Sequence, residues 1–261
     1  MQLLGQKMFA DKLNLYVVGD THYGTEAFAR HRFEAYVEKM AKDPHARWIG
    51  IGDYIEAIGI TDKRFDPGSL DAEMRAQDLK DLYGWQIDGL LSILAPVRKK
   101  CLALLRGNHE DVALNRTGSS AWWNKFVDTL GAPDCGTSCM IDLVVGSRKV
   151  RVVAHHGAGG AATDGGRAQR LARFANMFVA DLVITGHMHA KAETTIVRLA
   201  GNPACNKLIS ISTRAICCAS WYRSYHGHGS YAERRGMPPA ELGAPIVRIT
   251  NDRLDVDWFL G

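Results

Sequence analysis

Asp20, His22, Asp53, Asn108, His109, His156, His187 and His189 are the residues whose types and spacing suggest chemistry. Carboxylates, imidazoles and a side-chain amide are donors that divalent transition ions accept. They fall in short motifs: Asp20-Thr21-His22, Gly52-Asp53, Gly107-Asn108-His109-Glu110, His156-Gly157 and Gly186-His187-Met188-His189. Asp-x-His and His-x-His spacing lets alternate residues of an extended segment aim at one centre. Glycine at each junction permits tight turns and close backbone approach. No cysteine belongs to the set, which disfavours a purely structural zinc site. Each motif alone is weak, because a lone histidine near a strand end is more often structural. The weight lies in their order, with an apolar run before each.

The elements that must position these residues alternate between strand and helix. Apolar runs predict strands at Leu13–Val18, Trp48–Ile51, Cys101–Leu105, Val150–Ala154 and Leu182–Thr185, each ending in one of the motifs. Met140–Val145 pairs with Val150–Ala154 across Gly146-Ser147 as a hairpin. Later strands are expected at Glu193–Leu199, Lys207–Thr213, Ile246–Thr250 and Arg253–Phe259. Helices are expected at Thr25–Lys42, Leu70–Leu94 (broken near Gly84 or Gly89), Ser119–Leu130 and Gly165–Val179. In open α/β sheets ligands gather at the carboxyl ends of strands. The sequence reads as one domain over residues 1–261, with a helical insertion about 54–100 and a long surface loop about 220–243.

A composition of 46% hydrophobic and 23% charged residues excludes disordered, collagenous and coiled-coil classes. A net charge of +4 permits an anionic substrate without marking a nucleic-acid footprint. No apolar run is long enough to span a bilayer, and no basic segment leads into an apolar leader. A cytoplasmic location with no membrane partner is the expectation. The six cysteines fit it as reduced structural thiols; Cys135 and Cys139 lack a second pair that would complete a metal-binding set.

The ordered series from Leu13 to His189 resembles the calcineurin-like metallophosphoesterases. The resemblance implies an α/β fold of two packed mixed β-sheets flanked by helices, a four-layer sandwich. It implies two neighbouring divalent metal ions, Mn foremost, with Fe, Zn, Ni or Mg as other candidates. Carried over position by position, Asp20, His22 and His189 match the ligands of the first metal. Asp53 matches the bridging carboxylate, and Asn108, His156 and His187 match the ligands of the second. His109 matches a catalytic histidine that is not a ligand. Of the adjacent His155 and His156, one faces the metals in an extended segment. His156 is assigned because it precedes Gly157, as the family pattern has it. A hydroxide bridging the metals would attack phosphorus in line. His109 would stabilise the developing charge or protonate the leaving oxygen.

Protein phosphatases of that family read Gly-Asp-x-x-Asp-Arg-Gly at the second motif. Here Glu56 replaces the second Asp and Ala57 the phosphate-binding Arg, which counts against that activity. A phosphodiesterase or nuclease leads. A nucleotide pyrophosphatase or small-molecule phosphomonoesterase comes next. A non-catalytic scaffold of the same fold comes third, disfavoured by the complete ligand set. Arg106 suits either a substrate phosphate or a structural ion pair. Arg167, Arg170 and Arg173 suit an anion near a helix start or a solvated basic face. Trp221-Tyr222-Arg223-Ser224-Tyr225-His226, with Tyr231, Arg234 and Arg235 beyond, suits base stacking and phosphate contact, or else packing or an oligomer contact. His226 and His228 read as solvent-facing. The expected partner is a phosphoester, with nucleic acid or nucleotide as its finer identity, and a homo-oligomer is allowed.

Overall fold

Along Lys12–Val18, Leu13, Leu15 and Val17 enter one apolar cluster while Tyr16 and Val18 enter another. A strand covered on both faces has to lie inside a layered structure. The computed structural model describes every residue except 162, 226–230, 235, 237, 240 and 261. His226, His228 and Arg235 lie outside the described residues.

Eleven strands are described: β1 (Gln2–Phe9), β2 (Lys12–Val18), β3 (Ala46–Gly50), β4 (Cys101–Leu104), β5 (Ser138–Val145), β6 (Arg148–His155), β7 (Leu182–Thr185), β8 (Ala192–Gly201), β9 (Leu208–Cys217), β10 (Ala244–Thr250) and β11 (Leu254–Phe259). They form a six-stranded sheet, β1-β5-β6-β7-β9-β8, and a five-stranded sheet, β11-β10-β2-β3-β4. Both are mixed: β2, β3 and β4 run parallel, as do β6, β7 and β9, with antiparallel neighbours outside them. The helices are α1 (Arg30–Lys42), α2 (Leu82–Leu94), α3 (Asn108–Thr117), α4 (Ala121–Leu130), α5 (Asp164–Ala175) and a single turn, α6 (Tyr231–Arg234). One apolar cluster lies between the two sheets. A second joins the five-stranded sheet to α1, α2 and α4, and a third joins the six-stranded sheet to α5. The order is therefore helix, sheet, sheet, helix, the two-sheet α/β architecture expected.

Several local expectations need correcting. The helix predicted from Thr25 begins at Arg30. Thr25 to Ala29 are held instead by tertiary bonds: Thr25 bridges Leu70, Glu26 donates to the Ser69 carbonyl and Ala29 to the Trp221 carbonyl. The helix predicted from Leu70 begins at Leu82, where Asp81 caps it by accepting from the Gly84 amide. Gly89 does not break it; the glycine admits the Tyr23 ring, whose hydroxyl would sit 2.1 Å from an added Cβ. Strand β1 and helix α3 were not anticipated. The segment predicted as a surface loop from residue 220 starts in the core, with Trp221 packed edge-on against Phe33 and tilted against Tyr36.

Candidate metal centre

The parallel strands of both sheets point their carboxyl ends at one edge. There Asp20 follows β2, Asp53 follows β3, Asn108 follows β4, His156 follows β6, and His187 and His189 follow β7. Backbone bonds lock the loops together. Asp20 donates to the Gly52 carbonyl, His22 to that of Asp53, Gly186 to that of His156, and Trp221 to that of Asp20. The last of these ties the two sheets at the site.

Five of the seven candidate ligands adopt positive φ: Asp20 at 46°, His22 at 47°, Asp53 at 51°, His187 at 68° and His189 at 48°. That conformation costs a non-glycine residue on the order of 1–2 kcal/mol. Its concentration at one site marks a geometry imposed by the surrounding fold. Gly107 permits the closest approach, since a Cβ there would lie 2.1 Å from Asp53 Oδ1.

The candidate ligands gather in two overlapping clusters, and His22 also groups with Glu56 and His109. Asp20, His22, Asp53 and His189 each place a donor atom within 4.8 Å of the others, and Asp53, His156 and His187 do the same. Asp53 belongs to both. Asn108 joins the second, its Oδ1 lying 3.0 Å from His156 Nε2. His156 donates from Nδ1 to the Ile51 carbonyl at 2.7 Å. In the neutral ring, Nε2 is then an acceptor, facing Asp53 Oδ2 at 3.4 Å and His187 Nδ1 at 3.3 Å. In the other cluster His22 donates from Nδ1 to Glu56 at 2.9 Å. That aims Nε2 at His189 Nε2, 3.0 Å away, and towards Asp53 Oδ2 at 3.8 Å. Acceptors converging on acceptors are unfavourable alone and fit a cation between them. The donor set fits two divalent ions.

Burial and crowded charge shift these groups in both directions. Burial opposes a charge on Asp53, yet His109 and His156 hold its carboxyl well below the usual range. Burial likewise opposes protonation of His156, but the Asp53 carboxylate raises it to about 10. Burial pushes His22 and His187 down, favouring neutral rings that can ligate. His155 turns away: its ring packs 4.7 Å from Phe174 of α5, and its Nδ1 accepts from the Gly157 amide at 2.8 Å.

His109 stands beside the clusters, its ring edge-on to His22 at 4.6 Å. Its Nδ1 donates to the Glu56 carbonyl, and its amide donates to Asp53 Oδ1 at 2.9 Å.

Two residues without an assigned role in the sequence matter here. Glu56 holds His22 with its carboxylate and His109 with its carbonyl. Glu110 is buried and accepts from the amides of Gly107, Asp53, Tyr54 and Ile55 at 2.8, 2.8, 2.7 and 3.3 Å. It thereby welds the loop carrying Asp53 to the one carrying Asn108. Burial and the nearby Asp53 raise its carboxyl to about 7. The signal in the sequence was its place in Gly107-Asn108-His109-Glu110.

The nominated arginines are otherwise engaged. Arg106 pairs with Asp111 at 3.3 Å and Asp134 at 3.6 Å. Arg167 pairs with Asp164 at 2.9 Å and donates to the Ala161 carbonyl, while Arg170 donates to that of Gly160. These two brace the loop that follows His156. Trp221 is core, but Tyr222 lies at the site, its ring 5.4 Å from His22 and 5.8 Å from His189.

No curated protein matches the chain. Among solved structures it is similar to a predicted phosphoesterase from Streptococcus pneumoniae, at 12% identity and TM-score 0.41 over 95% of this chain and 88% of that one. It is similar to Zn-bound Vps29 from Entamoeba histolytica, at 12% identity and TM-score 0.42 over 95% and 99%. It is also similar to the nuclease MPE of Pseudomonas putida, at 12% identity and TM-score 0.34 over 93% and 87%. The calcineurin-like phosphoesterase family model matches residues 13–191, the span from β2 to just past His189, and this chain is a member of that family.

Proposed function

We propose that this protein is a phosphodiesterase, with nucleotide-containing diesters as its substrate class, dependent on two divalent metal ions. The observation that carries the reading is the convergence of Asp20, His22, Asp53, His156, His187 and His189 into two clusters sharing Asp53, with His109 at their side. Asp20, His22 and His189 would hold the first ion and Asn108, His156 and His187 the second, with Asp53 shared between the two clusters. Imidazole, carboxylate and amide donors together suit Mn, Fe, Zn or similar divalent ions. Bound metals of this kind supply Lewis acidity and a water acidic enough to ionise near neutral pH.

The chain's own residues do the rest. His109, fixed through Nδ1, presents Nε2 to the leaving-group oxygen and delivers a proton there. Glu56 and the Ile51 carbonyl fix the tautomers of His22 and His156. Two features favour a diester over a monoester. Ala57 stands where protein phosphatases carry an arginine, and its amide donates to Gln86. Arg106, Arg167 and Arg170 are held by partners of their own. A monoester dianion asks for such cations more than a diester monoanion does. Tyr222 adds an aromatic wall suited to a base or aryl group. The free thiols support a reducing, cytoplasmic setting.

The test is hydrolysis of bis-p-nitrophenyl phosphate and p-nitrophenyl phosphate by protein loaded with Mn. Faster turnover of the bis ester is expected. Metal binding with no turnover of either ester would favour a scaffold.

A further inference from the structure

The segment that follows Glu56 runs along α3. At one end the Glu56 carbonyl accepts from His109, in the first turn of the helix. At the other the Asp62 carboxylate accepts from Arg116, in the last turn. Ala113, between the two contacts, is buried. His109 and Arg116 are seven positions apart, so they share one helix face with about 10 Å between them.

Asp62 sits beneath two guanidinium groups. Its side chain is fully buried, and it accepts from Arg64 Nη2 at 2.8 Å as well as from Arg116. The two arginines keep 36% and 44% of their side chains exposed. Both are thus held in place with an outer surface left to solvent, which lowers the entropy cost of a later contact. Lys63, exposed between Asp62 and Arg64, adds a third cation. Charge balance sets this cluster apart from Arg106 and Arg167. Arg106 faces two carboxylates, Asp111 and Asp134, and Arg167 faces Asp164. Here one carboxylate serves two guanidinium groups beside an ammonium, and the next acid along, Asp66, pairs with Arg234 at 3.1 Å. A positive excess remains. Half-buried Tyr83 abuts the same segment at Gly59 and stacks on Trp122 at 5.5 Å.

We propose that Lys63, Arg64 and Arg116 form a phosphate subsite for a single-stranded polynucleotide, engaging a phosphate beyond the one at the metal centre. The inference rests on the diesterase reading and extends it to a chain substrate. A small diester at His109 ends short of Arg116, whereas a strand repeats its phosphate along its length. Aromatic rings beside cations suit unpaired bases, and Tyr83 here complements Tyr222 at the metal centre.

Fluorescence anisotropy of the Mn-loaded full chain tests it. The probe is a labelled, cleavage-resistant phosphorothioate oligothymidylate of about ten nucleotides. Binding that weakens with salt is expected. Arg116→Gln, which leaves Asp62 paired with Arg64, should weaken it roughly three- to fivefold and lower the salt slope by about 0.7. Turnover of bis-p-nitrophenyl phosphate by that variant should be unchanged. Should the variant fail to fold, Lys63→Glu at its exposed position gives the same readout. No oligonucleotide binding, or an affinity unchanged by substitution, overturns the subsite. Loss of bis ester turnover in equal proportion overturns it in favour of a structural role. Competition by polyglutamate as strong as by unlabelled oligonucleotide overturns the nucleic-acid assignment. A natural protein that binds the strand but turns over no diester instead counts against the diesterase reading, and the anisotropy of the variants still decides the subsite.

Discussion

The Glu56 carboxylate accepts a hydrogen bond from Nδ1 of His22 at 2.9 Å, while the Glu56 carbonyl accepts one from Nδ1 of His109. One residue thus sets the tautomer of a candidate metal ligand and of the candidate proton donor. Replacing a carboxylate that orients a ligating histidine costs roughly 10–100-fold in metal affinity. Glu56→Ala should weaken Mn binding by about that factor in calorimetry. Its turnover at saturating metal should fall less than that of His109→Ala, because the Glu56 carbonyl survives the substitution. Unchanged affinity would show that the bond is incidental.

His109→Ala separates binding from chemistry. The variant should hold its metals with natural stoichiometry and lose about 10²–10⁴-fold in turnover of the bis ester. Full activity would remove His109 from the mechanism.

Glu110 acts on stability before it acts on rate. Glu110→Ala strips the acceptor from four backbone amides, those of Gly107, Asp53, Tyr54 and Ile55. Each buried donor left unpaired costs about 1–3 kcal/mol. Urea denaturation should show a loss of about 3 kcal/mol or more, even after water reaches some of the donors. A loss below about 1 kcal/mol would contradict the weld between the two loops.

Asp142 gives a pH test remote from the site. Hydrogen bonds from Arg151, helped by Lys149, lower its carboxyl to about 2 from the usual 3.8. A depressed carboxyl stabilises the fold above its unfolded pKa and loses that contribution as pH falls through the folded value. The stability gap between the natural protein and Asp142→Asn should therefore be constant near neutral pH. It should narrow as pH drops below about 4 and close near 2. A gap that widened on acidification would contradict the sign.

Which of these features could be read from the sequence follows from where their causes lie. Strand β7 was legible residue for residue, because Leu182, Val183, Ile184 and Thr185 are all buried and the strand stops at Gly186. The metal-type residues were legible because each sits just beyond such a run. Strand β1 was not, since most of its side chains face water and the burial signal is missing. Helix α3 begins on Asn108 itself, so a reading that gave the motif to a loop hid the helix. The early start assigned to α1 failed because Thr25 to Ala29 are claimed by Ser69, Leu70 and Trp221, which are distant in sequence. Glu56 and Glu110 act across loops, and no local pattern announces that.

The pairing of β10 with β2 joins Ile246–Thr250 to Lys12–Tyr16. On the ribosome, the strand that delivers Asp20 therefore waits for more than two hundred residues of synthesis before gaining its second neighbour. Trp221, which donates to the Asp20 carbonyl, is likewise a late arrival. The nascent chain carries the candidate ligands long before it carries their geometry, and on the proposed reading metal loading would wait for β10.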